Sequence, residues 1–501
     1  MKLVIENPTK AFIKESTTSE MDALTTYLTY NHIGNQHLYK RHLDNFWFRS
    51  KNPVRWEEQL EELKKKLKFT LIYEENGRKY IRPGSIPYLD KIVNLDIENK
   101  VVYPKPKSIP WNKPLPFELY PYQQLGSELL LKEKHANVSF ATGTGKTACI
   151  LKLCKELGLK IAIITPSKSI FLEVLKLFEY HFGKSKVGTF GNGSKKIGKQ
   201  FTICIGDSVV NIQPDTEEWT FFNSLDALIV DESHVLGSET LEEICHNVLS
   251  NIPYRFFFSA TQTRGDGTLK LLQSVIGKTV HTLTTKEAVE KGYICTHDFT
   301  IIELESSNPN LSPKDALECK RVHFLRNRNI GAFIAKYCNT VCPATGQQVL
   351  VLVEELDQIT LLASQLTVPY VYAHAETKPA RLAELGLEKV KTDEVIEQFN
   401  KHEASVLIAT SVAHVGVNIY PVHTCFNWIG GTSEIKTKQA VVGRSVRKLS
   451  SSPYASKCAP KPKAAIFDFL VKDVELMKKH LSERLEYYKE SGTAIKLLKI
   501  K

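Results

Sequence analysis

Apolar residues in this chain come in short unbroken runs separated by stretches of helical spacing. Runs at residues 161–164, 201–205, 227–230 and 255–258 predict strands buried on both faces. The helical patterns between them predict an α/β domain with a parallel, doubly wound sheet, whose functional loops lie at the carboxyl ends of the strands. The rhythm then recurs. Runs at 299–304, 348–353, 370–372, 405–410, 424–429 and 464–469, with a helix over 328–337, imply a second sheet of the same kind.

The two ends of the chain read differently. Residues 2–6 and 11–14 predict short strands, 19–28 a helix capped by Ser19 or Thr18, and 60–67 an amphipathic helix. Asn76-Gly77 suits a tight type I′ turn, so 70–75 and 78–81 should form a hairpin. A small N-terminal α+β module follows. Prolines crowd 101–116 and mark a stiff, extended linker. The expected boundaries are 1–112 for the N-terminal module, 113–285 and 286–470 for the two doubly wound domains, and 471–501 for a terminal segment with a helix over 474–488.

Composition adds limits. A chain of 501 residues is too long for one core. Lys and Arg number 66 against 55 Asp and Glu, a net charge of +11 that fits a polyanionic partner or simply a basic protein. The ten cysteines lack metal-ligand spacing, which predicts reduced thiols in a cytoplasmic setting. Cys338 and Cys342 are the closest pair, with no second pair to complete a site. The first residues lack the apolar core of a signal peptide, and no run approaches the ~18 apolar residues of a membrane span.

The chemistry concentrates in a few stretches. Ala141-Thr142-Gly143-Thr144-Gly145-Lys146-Thr147 lies between a strand end at 138–140 and a helix over 148–157 that stops at Gly158. A strand, a glycine loop and a helix make a phosphate cradle: backbone N–H groups turn inward, and the helix N-terminus adds partial positive charge. Lys146 would meet the β- and γ-phosphates and Thr147 would offer its hydroxyl to Mg²⁺. Phe140 stands where the full pattern begins with glycine. The run at 227–230 ends in Asp231-Glu232-Ser233-His234. There Asp231 is the candidate for the metal shell and Glu232 for orienting and deprotonating an attacking water. In the second domain Gly443-Arg444-Ser445-Val446-Arg447 sets two arginines one helical turn apart, suited to charge developing on a γ-phosphate. Near the N-terminus, aromatic and basic residues interleave in Tyr39-Lys40-Arg41-His42 and Phe46-Trp47-Phe48-Arg49. Lys40, Arg41 and Trp47 could pair with phosphates and stack on bases; alternatively Phe46 and Phe48 are core and the cations are solvated.

These stretches resemble the motifs of superfamily 2 helicases and translocases of the DExH type. The 141–147 loop resembles motif I, Asp231-Glu232-Ser233-His234 motif II, Ser259-Ala260-Thr261 motif III, and Gly443, Arg444 and Arg447 motif VI. Ala440 stands where motif VI has glutamine, and Gln439 lies beside it. Arg264-Gly265-Asp266-Gly267 is similar to a segment of duplex-DNA translocases.

The resemblance implies two tandem RecA-like domains holding ATP and Mg²⁺ between them. Gln123 would read adenine; Thr142, Gly143, Thr144, Gly145, Lys146, Thr147 and His234 would line the nucleotide, joined by Gly416 and Asn418 of motif V. Tyr120 replaces the family's usual arginine beside Gln123, and Asn418 its usual aspartate. The resemblance also implies strand contacts by Thr165, Pro166, Lys168, Ser208, Thr410 and Ser411.

The layout as a whole resembles the phage branch-migrating helicases of the UvsW type. It implies a DNA helicase or translocase acting on forks or Holliday junctions in recombination, repair or replication, in the host cytoplasm if phage-encoded; the sequence leaves the oligomeric state open, with a monomer favoured. Three other readings stay open: an RNA helicase of the same superfamily, the motor subunit of a restriction or remodelling complex, and a scaffold that has lost catalysis.

Overall fold

A computed structural model describes every residue except 261–266, 314, 377, 411–418, 433–436, 438–440, 492 and 501, and the side chain of Ser451. By contact density the chain divides into two compact units. One comprises Met1–Phe140 with Lys146–Thr282, the other Ala141–Gly145 with Leu283–Lys501.

The first unit is built on an eight-stranded sheet. Its strands run, edge to edge, Ser194–Lys196, Val187–Gly191, Phe201–Ile205, Ile161–Thr165, Ala227–Val230, Tyr254–Ser259, His135–Phe140 and Lys278–Leu283. The pairings from Val187–Gly191 to His135–Phe140 are parallel, while the Ser194–Lys196 edge is antiparallel. The central strands Ile161–Thr165 and Ala227–Val230 are buried throughout, as expected of strands covered by helices on both faces. The strand order jumps between neighbours, so the sheet is doubly wound.

The same unit carries the N-terminal elements. A five-stranded sheet has the order Ile72–Glu75, Arg78–Ile81, Lys10–Glu15, Lys2–Asn7, Asp96–Asn99. Its hairpin turns at Asn76 (φ 50°) and Gly77 (φ 71°), the left-handed pair that a type I′ turn requires. The first helix, Thr18–Leu28, is capped one residue earlier than expected: Thr17 Oγ1 accepts from Glu20 N, and Glu20 closes the box on Thr17 N. The 60–67 helix is only the end of a longer one, Pro53–Lys65, begun by a proline that needs no N–H there. Ile33–Leu43 and Phe46–Lys51 are two further helices that the polar, aromatic-rich sequence concealed.

These elements are fastened to the large sheet's helices. Glu242 accepts from Tyr73 Oη at 2.7 Å and from Arg82 Nη2 at 3.3 Å, while Tyr88 Oη donates to Gly277 O. The proline-rich stretch is extended and tied down, with Lys107 N and Ile109 N donating to Leu157 O and Lys155 O.

The second unit has a seven-stranded sheet in which the described strands pair in parallel: Tyr370–Ala373, Val406–Ala409, Val349–Val353, Thr424–Trp428, Lys463–Val471, Thr296–Leu304 and Ile495–Lys499. The last strand was not expected, because its pattern Ile-Lys-Leu-Leu-Lys sits on an exposed edge. The helix expected over 328–337 extends across Arg328–Thr345. The terminal helix Glu475–Lys489 packs on the Lys463–Val471 strand, where Arg484 and Tyr488 bind Asp468 in the interior. Two tandem RecA-like domains with a small N-terminal α/β region are thus the architecture of the chain. Among the described residues no helix is long and apolar enough to cross a membrane.

Candidate nucleotide site and strand-contact residues

The strand His135–Phe140 delivers the chain into the glycine loop, and the helix Lys146–Leu157 takes it up at Lys146. Gly143 (φ 85°) and Gly145 (φ 80°) both occupy the left-handed region, which opens the loop and exposes its backbone. Thr144 is buried and donates its hydroxyl to Ala141 O at 2.7 Å, bracing the turn. Thr142 and Thr147 are half-buried. Lys146 is 7% exposed; its Nζ lies 3.0 Å from Glu232 Oε1 and 3.3 Å from Phe140 O.

The carboxylates come from the end of Ala227–Val230. Asp231 N donates to Ile164 O of the neighbouring strand, and Asp231 Oδ1 accepts from Glu232 N at 2.9 Å. Glu232 has φ 48°, a conformation rare for a non-glycine residue, which bends the chain out of the strand direction at this point. Burial, and then the adjacent Glu232 charge, raise the Asp231 carboxyl well above the ordinary range, with Lys146 opposing.

A divalent cation at this point would relieve that stress. Mg²⁺ commonly takes one or two carboxylates plus substrate phosphates rather than a full protein cage. Asp231 and the Thr147 hydroxyl fit that need. Among the described residues no group of three or more His, Cys, Asp or Glu could hold a metal alone.

His234 is 3% exposed and joins two motifs: its Nδ1 lies 2.9 Å from Ser259 Oγ and 3.5 Å from Glu232 Oε2. Gln123 is buried, and its Oε1 accepts from Tyr120 N, so it caps its own helix, Pro121–Glu133. Tyr120 is half open to solvent and stacks on Tyr122 at 5.9 Å.

In the second unit the pair of arginines sits differently from the expectation of one helical face. Among the described residues of this stretch, Gly443–Ser445 is α-helical and follows a π-helical Val441–Val442. Arg444 is 3% exposed within it, and Arg447 lies beyond its end, half-buried. A Cβ built on Gly143 would lie 3.4 Å from Cγ of Arg447, an ordinary van der Waals approach within the unit. The backbone of Arg447 is held by a residue that no motif announced. Lys461 Nζ donates to Arg447 O at 2.7 Å and to Tyr420 O at 3.3 Å. A lysine in the polar 450–463 loop carries no pattern to mark it, and only the fold brings it here.

The expected strand contacts divide. Pro166 and Ser208 are half-buried, and Lys168 is exposed at the start of the helix Lys168–Phe182. Thr165 requires correction. It is fully buried and its hydroxyl donates to Cys204 O at 2.8 Å, because a strand covered on both faces turns its last side chain inward. Thr410 is likewise buried, with Oγ1 3.5 Å from Ala373 O. Both hydroxyls face a backbone carbonyl of the neighbouring strand. Lys40, Arg41 and Trp47 are exposed. Phe46 is 70% exposed, which excludes it from the core. Ser411, Gly416, Asn418 and Gln439, with Thr261 and Arg264-Gly265-Asp266, lie outside the described residues.

Two family models match the chain. Residues 116–264 match the model described as type III restriction enzyme, res subunit, and residues 332–448 match the helicase conserved C-terminal domain. A curated relative, the DNA 3'-5' translocase XPB2 of Sulfurisphaera tokodaii, is 22% identical over 387 residues, covering 72% of this chain and 84% of its own. A fragment of a putative HsdR subunit of a type I restriction enzyme from Vibrio vulnificus has a TM-score of 0.52 at 15% identity, over 76% of this chain and 68% of that one. The structure of UvsW from phage T4 aligns over 99% of each chain at 15% identity, with a TM-score of 0.42.

Proposed function

We propose, for a chain that belongs to the superfamily 2 helicases, ATP-driven translocation on DNA, with forked or four-way branched DNA as the substrate worked upon. The single observation that carries the ATP-dependent part is the buried Lys146–Glu232–Asp231 constellation. Bound ATP with Mg²⁺ would supply the free energy of phosphoanhydride hydrolysis. The protein's residues do the rest. Gly143 and Gly145 open the cradle, Lys146 holds a fixed positive charge over the phosphates, and Asp231 with Thr147 would hold the metal. Glu232 orients a water and accepts its proton. Arg444 and Arg447 would meet the charge that develops on the transferred phosphoryl group. Gln123, Gly416 and Asn418 are proposed to contact the nucleoside.

Coupling needs a link from this chemistry to the strand contacts. The His234–Ser259 hydrogen bond supports one, because it ties the carboxylate loop to the end of the next strand. Pro166, Lys168, Ser208 and Ser411 are proposed to hold the phosphate backbone on one side or the other of each step. The branched-DNA preference, and with it a place in recombination or repair of the kind phage helicases occupy, is supported by the exposed Lys40, Arg41 and Trp47 of the N-terminal region.

The test is ATP hydrolysis with and without DNA, followed by ATP-dependent processing of a synthetic four-way junction beside a tailed duplex and an RNA duplex. Stimulation by DNA with faster junction processing is the expected result. Stimulation by RNA alone would move the protein to the RNA-helicase class.

A further inference from the structure

Three helices, Ile33–Leu43, Phe46–Lys51 and Pro53–Lys65, form a small helical layer in the N-terminal region. Its interior is already filled. Trp56 stacks on His42 at 5.5 Å, and the pair exchanges two bonds: Trp56 Nε1 donates to His42 O, and His42 Nε2 meets Trp56 O. Phe48 packs edge-on to His42, and the Arg49 guanidinium covers the Trp56 ring at 4.7 Å. Asn45 Oδ1 caps the middle helix through Phe48 N. With those side chains committed inward, the two at the start of that helix point away from the interior: Phe46 and Trp47 are each 70% exposed. Adjacent large aromatics this open to water are unusual in a folded domain.

We propose that Phe46 and Trp47 form a stacking wedge for bases laid open at a DNA branch point, a reading that rests on the DNA-helicase function above. Charge selects the occupant. The helices Ile33–Leu43 and Phe46–Lys51, with the link between them, carry four cations, Lys40, Arg41, Arg49 and Lys51, against one carboxylate, Asp44, whereas Pro53–Lys65 is near balance, with Arg55, Lys64 and Lys65 against Glu57, Glu58, Glu61 and Glu62. Lys40, Arg41, Lys51 and Arg55 are all exposed. A second copy of this chain would bring like charge against like charge, whereas a phosphate backbone neutralises it. The chemistry of the aromatics then selects the branch point. Inside a continuous duplex each base face is already covered by its neighbour, so an aromatic ring can stack only by prising two bases apart. At a fork or four-way junction stacking is interrupted, a face is free, and a sequence-tolerant aromatic platform can cover it. The cations would hold the flanking phosphates while Phe46 and Trp47 prevent the open pair from closing.

The experiment uses the full chain with a synthetic fork carrying 2-aminopurine at the branch and a blunt duplex of equal length. The expected result for the unaltered protein is tighter binding to the fork, with quenching of the 2-aminopurine signal. In Phe46→Ala/Trp47→Ala the fork-over-duplex preference should fall tenfold or more and the quenching should vanish. Trp47→Phe, which keeps an aromatic face, should retain most of both. A double variant with its preference and quenching intact would overturn the wedge, as would sedimentation showing that the aromatic pair closes a dimer. DNA-stimulated ATP hydrolysis by the unaltered protein, measured alongside, separates the two levels. If it is present while the variant's preference is unchanged, the wedge alone fails; if it is absent, both readings fail.

Discussion

The ammonium of Lys146 lies 3.0 Å from Oε1 of Glu232, with both side chains largely withdrawn from water. The lysine begins a helix and the glutamate follows a strand far along the chain, so their meeting is a property of the sheet. Lys146→Ala removes the charge proposed for the phosphates and leaves two neighbouring carboxylates without their cation. We expect kcat for ATP hydrolysis to fall by about 10²–10³, the usual loss for one electrostatic partner. Glu232→Gln should lower turnover by about 10²–10⁴ while ATP binding survives, because it removes a base and spares the cradle. Steady-state kinetics beside equilibrium nucleotide binding separates the two.

Arg447 is set by its backbone as well as its side chain. Burial lowers the Lys461 amine to about 8, and its Nζ holds Arg447 O. Lys461→Met should lower kcat by about tenfold, in the range that small misplacements produce. In the unaltered protein the rate should decline as pH rises through about 8, where the ammonium loses its charge. Stability follows the opposite sign. Between about 8 and the ordinary value of 10.5 the unfolded chain holds this proton more tightly than the folded one, so raising pH across that window favours folding. A pH series of chemical denaturation on both proteins should therefore show the unaltered chain gaining on Lys461→Met above pH 8.

Thr165 and Lys168 make a matched pair for the strand contacts. Thr165→Val deletes a hydroxyl spent on Cys204 O, so DNA affinity should change less than twofold. Lys168→Ala removes an exposed cation, and the slope of log affinity against log salt should shrink by about one. A Thr165→Val loss as large as that of Lys168→Ala would contradict the inward placement of the hydroxyl.

In the second unit, Arg484 and Asp468 form a two-point ion pair, each side chain 1% exposed. Tyr488 Oη and Asn427 Nδ2 also reach Asp468, and Arg484 Nη1 donates to Gly431 O. Arg484→Met strands the carboxylate in the interior and should cost about 3–5 kcal/mol. Thermal unfolding of Arg484→Met and of Arg484→Met/Asp468→Asn should show the double variant recovering part of the loss.

Local pattern settled the alternation of strands and helices, since apolar runs and helical spacing reflect which faces are covered. It settled the Asn76-Gly77 hairpin, because two left-handed residues in succession leave few other turns. It also marked the glycine loop, the Asp231-Glu232 pair and the two arginines as candidates for the chemistry, because each is a short contiguous motif. What the chain alone could not decide were matters of distance and direction. Thr165 ends a strand in the sequence, and only the neighbouring strand's Cys204 carbonyl turns its hydroxyl inward. Lys461 carries no motif, and only the folded sheet brings it to the backbone of Arg447. Phe46 and Phe48 look alike two residues apart. The packing of His42 and Trp56 decides that Phe48 faces inward and Phe46 faces water, since burial depends on what a side chain meets across the fold.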